Sequence, residues 1–209
     1  RRQRQMCIRD RCNMDMRIFQ VHSNKALPHV GSILIASPLL YDYHFARSVV
    51  LMVTHNIEGS MGIVMNKNFR YLIALNQLVP KLAAVPAIPI FKGGPVDRDT
   101  IFFLHVLGHL KGALDLGNGL YLNGDFSAVI QYILNGNPVE GFIRFFAGYA
   151  GWEHEQLEKE IDDDSWMVGE GTKTHLLDED YHNLWFNSMN ELGKPYSLWA
   201  TYPQYPSCN

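Results

Sequence analysis

The sequence predicts an α+β fold built on a mixed sheet, as one domain, and three observations carry the prediction. Short runs rich in Ile, Val, Leu and Met recur between Gly and Pro punctuation and have the length of strands. Helical stretches fall between them irregularly, which excludes strict β-α-β alternation. The 209 residues, 47% hydrophobic and 19% charged, suffice for one sizeable core and are too apolar for a disordered chain.

Residues 17–30 alternate weakly and include Pro28, which suits an irregular entry packed over the core. The first strand is read at 32–36, followed by a polar crossing through Asp42, His44, Arg47 and Ser48. A second strand at 48–55 and a third from Gly59 form a hairpin, with Asn56 to Ser60 as a five-residue loop containing Gly. Tyr71 to Val79 has apolar residues at helical spacing and ends at Pro80, so it reads as a short helix. In the strand Ala87 to Phe91, Pro89 requires an edge or a strand beginning. Gly93-Gly94-Pro95 turns the chain into a buried strand from Thr100 to Val106, and a hairpin segment follows near Gly119 to Leu122.

Asp125 is placed to cap a helix from Phe126 to Leu134, with Gly136 as its stop. Gly141 to Phe146 is a further strand, and Gly148-Tyr-Ala-Gly151-Trp152 reads as a small-residue turn leading into a helix from Glu153 to Ile161. Asp162-Asp163-Asp164 then sits at a helix C-terminus, where carboxylates are disfavoured. A strand at Ser165 to Val168 and a helix capped by Asp178, running to Leu192, complete the elements. The Pro- and Tyr-rich tail from Pro195 is expected to lie extended on the surface.

The first thirteen residues differ from the rest. They hold Cys7, Cys12 and five arginines, and read as a basic leader foreign to the domain, which then starts at Met14 or Met16 and runs to residue 209. The alternative is a basic arm for nucleic acid. Without them 13 basic residues face 20 acidic ones, a balance that opposes direct DNA binding. Cys208 remains alone, so neither a disulfide nor a cysteine metal cage is expected inside the domain. There is no apolar run long enough for a membrane span and no secretory h-region, and the expected location is the cytoplasm.

The chemistry-bearing residues form no complete catalytic set. Asp42, Arg47, His55 and Asn66 flank the second and third strands and could gather at one end of the sheet. His55 held by Asp42 would make a general base for a hydrolase or transferase; the plainer reading is an Asp42–Arg47 pair bracing the crossing. Ser48 lacks a Gly-x-Ser-x-Gly elbow. His105 and His109, four apart on a strand, stand about 13 Å from each other, too far to share a metal. Gly93, Gly94 and the Gly148–Gly151 stretch could offer backbone N–H groups to an anion, although no phosphate or dinucleotide fingerprint is present and no cofactor is expected. Tyr149 and Trp152 would either cap the core or line a pocket.

From Gly31 to the C-terminus the chain resembles the YqgE/AlgH family. The residues that carry the resemblance are Gly31 to Pro38, Asp42 with Phe45-Ala-Arg47-Ser48-Val49, His55, Gly59 to Asn66, Gly93 to Val96, and Gly148 to Trp152 with Gln156-Leu-Glu158 and Trp166. The departures are Lys67-Asn68 and His154-Glu155, the latter crowding a helix start. The resemblance implies a strongly curved, partly barrel-like mixed sheet surrounded by helices, with no established reaction. It also carries the label of transcriptional regulator, for which this sequence offers no helix-turn-helix with a basic face. The expected activity is therefore a non-enzymatic regulatory or adaptor role. A protein or small ligand would bind around Asp42, Arg47, His55, Asn66, Gly93 and Gly94, with Tyr149 and Trp152 nearby.

Overall fold

The computed structural model describes residues 20–203. The leader, both candidate starts and Cys208 lie outside these residues. Among the described residues there are nine strands: β1 (Ser32–Ala36), β2 (Val49–Asn56), β3 (Gly59–Val64), β4 (Ile90–Lys92), β5 (Val96–His105), β6 (Leu114–Gly117), β7 (Leu120–Leu122), β8 (Ile143–Trp152) and β9 (Trp166–Glu170). They form one sheet in the order β6-β7-β5-β8-β3-β2-β1-β9, with β4 against β8. The β4–β8 pair is parallel and the others are antiparallel, so the sheet is mixed as expected.

The sheet curls into a partial barrel without closing. The ends of its two edge strands, β6 and β9, approach each other at one corner. A side chain at Gly31 would stand 2.1 Å from the Leu116 carbonyl oxygen, and Asn118 Nδ2 donates to Gly171 O at 3.0 Å. Glycine at 31 permits that close approach, and its φ of +87° suits no other residue.

Alternating strand residues explain why the first apolar runs are continuous. Ile33, Ile35, Val49 and Leu51 point into the curl, where α4 (Lys173–Leu176), α5 (Leu184–Glu191) and α6 (Tyr196–Trp199) close over them with Leu176, Trp185, Met189 and Trp199. Leu34, Ala36, Val50 and Met52 point the other way, onto Trp152, Trp166 and the Leu157–Ile161 stripe of α3 (Gln156–Asp162). With both faces covered, no polar alternation is needed. A third cluster packs α1 (Leu75–Leu78) and α2 (Phe126–Leu134) against β4, β5 and β8 through Leu75, Val129, Ile133 and Phe145. Asp125 caps α2 as read, accepting from the Ser127 and Ala128 N–H groups, and Gly136 takes φ +78° beyond it.

Several elements differ from the sequence reading. The β2–β3 loop is only Ile57-Glu58, since Asn56 and Gly59 already pair. Helix α1 covers four residues, because Ala74 bridges Pro89 and holds the preceding residues extended. The stretch Gly148–Trp152 is the second half of β8 and not a turn. Strand β5 starts at Val96, and its first half is exposed. Helix α5 starts at Leu184, behind Asn183 rather than Asp178. The described part of the tail, as far as residue 203, does not lie extended: it forms α6, with Trp199 and the following Ala200 buried, and the remaining residues lie outside the described ones.

The acidic end of α3 has a physical answer. Lys25 Nζ donates to Ile161 O at 3.0 Å and Asp162 O at 2.7 Å, covering the helix carbonyls, and reaches Asp164 Oδ1 at 3.0 Å. Burial opposes ionisation of Asp164, but the Ser23 N–H, His22 and Lys25 outweigh it and bring the carboxyl down to about 2. The lowered value makes this attachment complete above the ordinary 3.8 and lost as the pH falls towards about 2. Asp164→Asn keeps the left-handed backbone, φ +62°, that asparagine also tolerates. It should raise amide exchange across residues 22–26 at neutral pH while costing about 1 kcal/mol or less in overall stability. Unchanged exchange there would show that the entry segment is held by other contacts.

Candidate functional site

Strand β8 changes neighbours part-way along one edge. Its first half pairs β4, up to Lys92 with Ala147, and its second half pairs β3, from Gly62 with Ala150 to Ser60 with Trp152. Strands β3 and β4 therefore run towards each other, and their C-terminal ends meet opposite Gly148, which has φ +73°. Backbone bonds lock the seam: Lys92 N to Lys67 O at 2.9 Å, Val64 N to Gly93 O at 2.8 Å, and Gly93 N to Ala147 O at 2.9 Å.

The crossing from Asp42 to Ser48 folds onto this seam. Asp42 Oδ1 accepts from the His44 and Phe45 N–H groups at 2.7 and 2.9 Å, a local turn cap. Arg47 takes a left-handed φ of +53°, held by Asn66, whose Nδ2 donates to Arg47 O at 2.9 Å and whose Oδ1 accepts from Val49 N at 3.0 Å. The Arg47 guanidinium lies over the Trp185 ring at 4.7 Å and donates to Tyr202 O.

Cations gather at this corner. Lys67 Nζ donates to Ala46 O at 2.5 Å, and Lys92 Nζ sits over the Tyr43 ring at 5.0 Å. Burial, then Lys92 and Arg47, hold the Lys67 ammonium below its ordinary value. Burial and Arg98 lower Lys92, against the pull of Asp42. Among the described residues, the three buried side-chain polar atoms without a hydrogen-bond partner, His44 Nδ1, Arg47 Nε and Ser48 Oγ, all belong to this crossing.

Of the residues singled out in the sequence, Asp42, Arg47, Asn66, Gly93 and Gly94 come together here. Tyr149 contributes backbone, on which Gly94 packs, while its ring meets Phe102 edge-on at 6.0 Å. His55 and Trp152 do not join them. Six residues of extended strand, about 20 Å, separate His55 from the start of β2. There His55 Nδ1 is 2.8 Å from Ser60 Oγ, and Nε2 is 3.6 Å from Glu158. The His55/Asp42 acid–base pair is thus not formed. Trp152 is a core residue: its Nε1 and that of Trp166 both donate to Glu160 Oε2, at 2.9 and 2.8 Å. The Gly93 N–H is spent on Ala147, so it cannot be offered to an anion.

Sequence reading missed Lys67, Lys92 and Arg98, although the two lysines adjoin Asn66 and Gly93. It also missed Arg144, a charged residue inside the apolar run Phe142 to Phe146. Arg144 is buried, donates to Leu176 O at 3.0 Å and to Asp178 O, and lies under Phe91 and Tyr181 at 5.0 and 5.6 Å. Burial pulls its guanidinium down to about 10, against the upward pull of Tyr181 and Asp178. Above it opens a cleft of about 920 Å³, walled by residues that include Phe69, Ile88, Phe91 and Tyr181. Among the described residues no three His, Cys, Asp or Glu side chains converge to hold a metal, and no helix is long and apolar enough to cross a membrane.

A family model described as AlgH-like matches residues 33–197. The chain belongs to the AlgH-like family. AlgH-like relatives include a UPF0301 protein of Bacteroides fragilis, 46% identical over 94% of this chain and all of the relative. One from Bacteroides thetaiotaomicron is 43% identical over the same shares. The solution structure of AlgH from Pseudomonas aeruginosa is 31% identical, with a TM-score of 0.63, covering 85% of this chain and 97% of that one. The crystal structure of DIP2367 from Corynebacterium diphtheriae shares the fold, with a TM-score of 0.72 at 24% identity over 85% and 94% of the two chains. Membership in the AlgH-like family confirms the likeness read from the sequence and by itself assigns no reaction.

Proposed function

We propose that this AlgH-like chain is a cytoplasmic regulatory or adaptor protein that acts by binding, and that its seam corner takes an anionic group of a ligand or partner. One observation carries this reading. Lys67 lies within electrostatic reach of Lys92 and Arg47, and Lys92 within reach of Arg98, Asp42 pulls against this only at Lys92, and three buried polar atoms beside them lack partners. Like charges held this close depress one another's ionisation, and an anion reverses that cost. The position suits a ligand, since the C-terminal ends of two strands meet where the sheet's connectivity changes. The acidity of the domain opposes a phosphate-backbone partner, and the label of transcriptional regulator is better served by protein contacts than by DNA.

Inorganic pyrophosphate is the simplest probe. Calorimetric titration should show one saturable site, and the Lys67 and Lys92 ammonium resonances should titrate at higher pH in its presence. Lys67→Met combined with Lys92→Met should weaken binding about tenfold or more, the worth of one charge-assisted hydrogen bond. Absence of saturation, or equal binding by the double variant, would remove the corner as an anion site.

A further inference from the structure

The cleft above Arg144 has no part in the seam corner. Its walls are apolar, among them Phe69, Leu72, Ile88, Phe91, Ile133 and Tyr181. Arg144 at its base has its charge directed to two backbone carbonyls and two ring faces. One lip exposes large apolar side chains, with Tyr71 73% and Leu72 67% accessible, and Arg70 stacks on Tyr71 at 5.6 Å. The other lip is acidic. Glu140 and Glu179 stand on it, and it continues into a shallower depression lined also by Asp178 and Asp180. Exposed apolar side chains beside a hydrophobic cleft mark an interaction surface.

We infer that this cleft docks an extended segment of another protein, with apolar anchors seated over Phe91 and Ile88 and basic residues at one end lying against Glu140, Asp178, Glu179 and Asp180. Charge complementarity selects the occupant. The cleft is polarised, with four carboxylates along one lip and Arg70 on the other, so a segment basic at one end enters in one direction. Continuity selects an extended shape: the main cleft runs into the second depression, of about 460 Å³, and so forms a groove rather than a closed chamber. Glu140 and Glu179 stand side by side on this lip, and the neighbouring Glu140 carboxyl holds Glu179 above the ordinary carboxylate range. A lysine or arginine placed there relieves that repulsion.

The test uses the full chain and a fluorescein-labelled synthetic peptide with Phe and Leu anchors and lysines at one end. Its control has glutamates in place of the lysines. Anisotropy should rise saturably with the lysine peptide, and the glutamate peptide should bind at least about tenfold more weakly. Leu72→Ser, and Glu140→Gln with Glu179→Gln, alter exposed side chains and should each weaken the lysine peptide about tenfold. Lys67→Met with Lys92→Met should leave it unchanged, which separates this groove from the seam corner. Equal binding of both peptides, no saturable binding, or insensitivity to the cleft variants would overturn the proposal. A wild-type dimer in native mass spectrometry that Leu72→Ser dissolves would also overturn it, by giving the groove to a second copy of the chain.

Discussion

Replacing Gly94 with alanine should leave little folded protein. An added methyl would stand 2.0 Å from the carbonyl carbon and oxygen of Tyr149 and 2.5 Å from the Ala150 nitrogen, all backbone atoms in the middle of β8. No rotamer change relieves a clash with backbone, so the chain after β4 must lift off the sheet, and the backbone bonds at the seam go with it. The expected loss is about 4 kcal/mol or more, against a typical total of about 5–15 kcal/mol. Gly151→Ala is the matched control on the same strand: its methyl would meet only the Tyr149 ring, at 3.4 Å, an ordinary contact. Urea midpoints decide the matter. If Gly94→Ala melts alongside Gly151→Ala, the close approach at the seam does not hold in solution.

Arg144→Ala should be the second most damaging change. It removes the N–H groups that serve the Leu176 and Asp178 carbonyls and leaves a gap beneath Phe91 and Tyr181. Unserved buried carbonyls and a lost guanidinium together should cost about 3 kcal/mol. Arg144→Lys should recover only part of this, because one ammonium cannot reproduce the planar fork that reaches both carbonyls. Hydrogen exchange should rise first across residues 176–181, the segment that the guanidinium ties to β8. A uniform loss of protection with no excess in that segment would argue that Arg144 acts through general packing instead.

Strands and caps were legible because their signals are local. Gly and Pro punctuate the apolar runs, Pro89 does sit where β4 begins at an edge, and Asp125 caps α2 with its own side chain. The misreadings came from signals with two physical meanings. Glycine marks a turn, but it also marks two backbones in contact, and Gly148 belongs to the second class because Gly93 and Gly94 cross beside it. A composition rich in Pro and Tyr suggested a surface tail, yet Trp199 is buried over the curl. Asp42 and His55 are neighbours in the same stretch of sequence, and the extension of β2 carries them apart. Lys67 and Lys92 are 25 positions apart and meet only because β8 changes partners. Arg144 could have been found, since a single charge inside an otherwise apolar strand requires buried hydrogen-bond partners.

Strand β8 has a further consequence, in the time order of synthesis. It supplies a hydrogen-bonding edge to β3, β4 and β5, all made before it, and β1 receives its second neighbour only from β9. Until residues 143–152 leave the ribosome, β4 has no strand to join, and the β2–β3 hairpin and the β5–β7 pair each keep one edge open, so the nascent chain carries these edges unpaired through most of its elongation. The two halves of the sheet, β3-β2-β1 and β5-β7-β6, join only through β8, so a fragment that lacks residues 143–152 lacks the strand on which both are aligned.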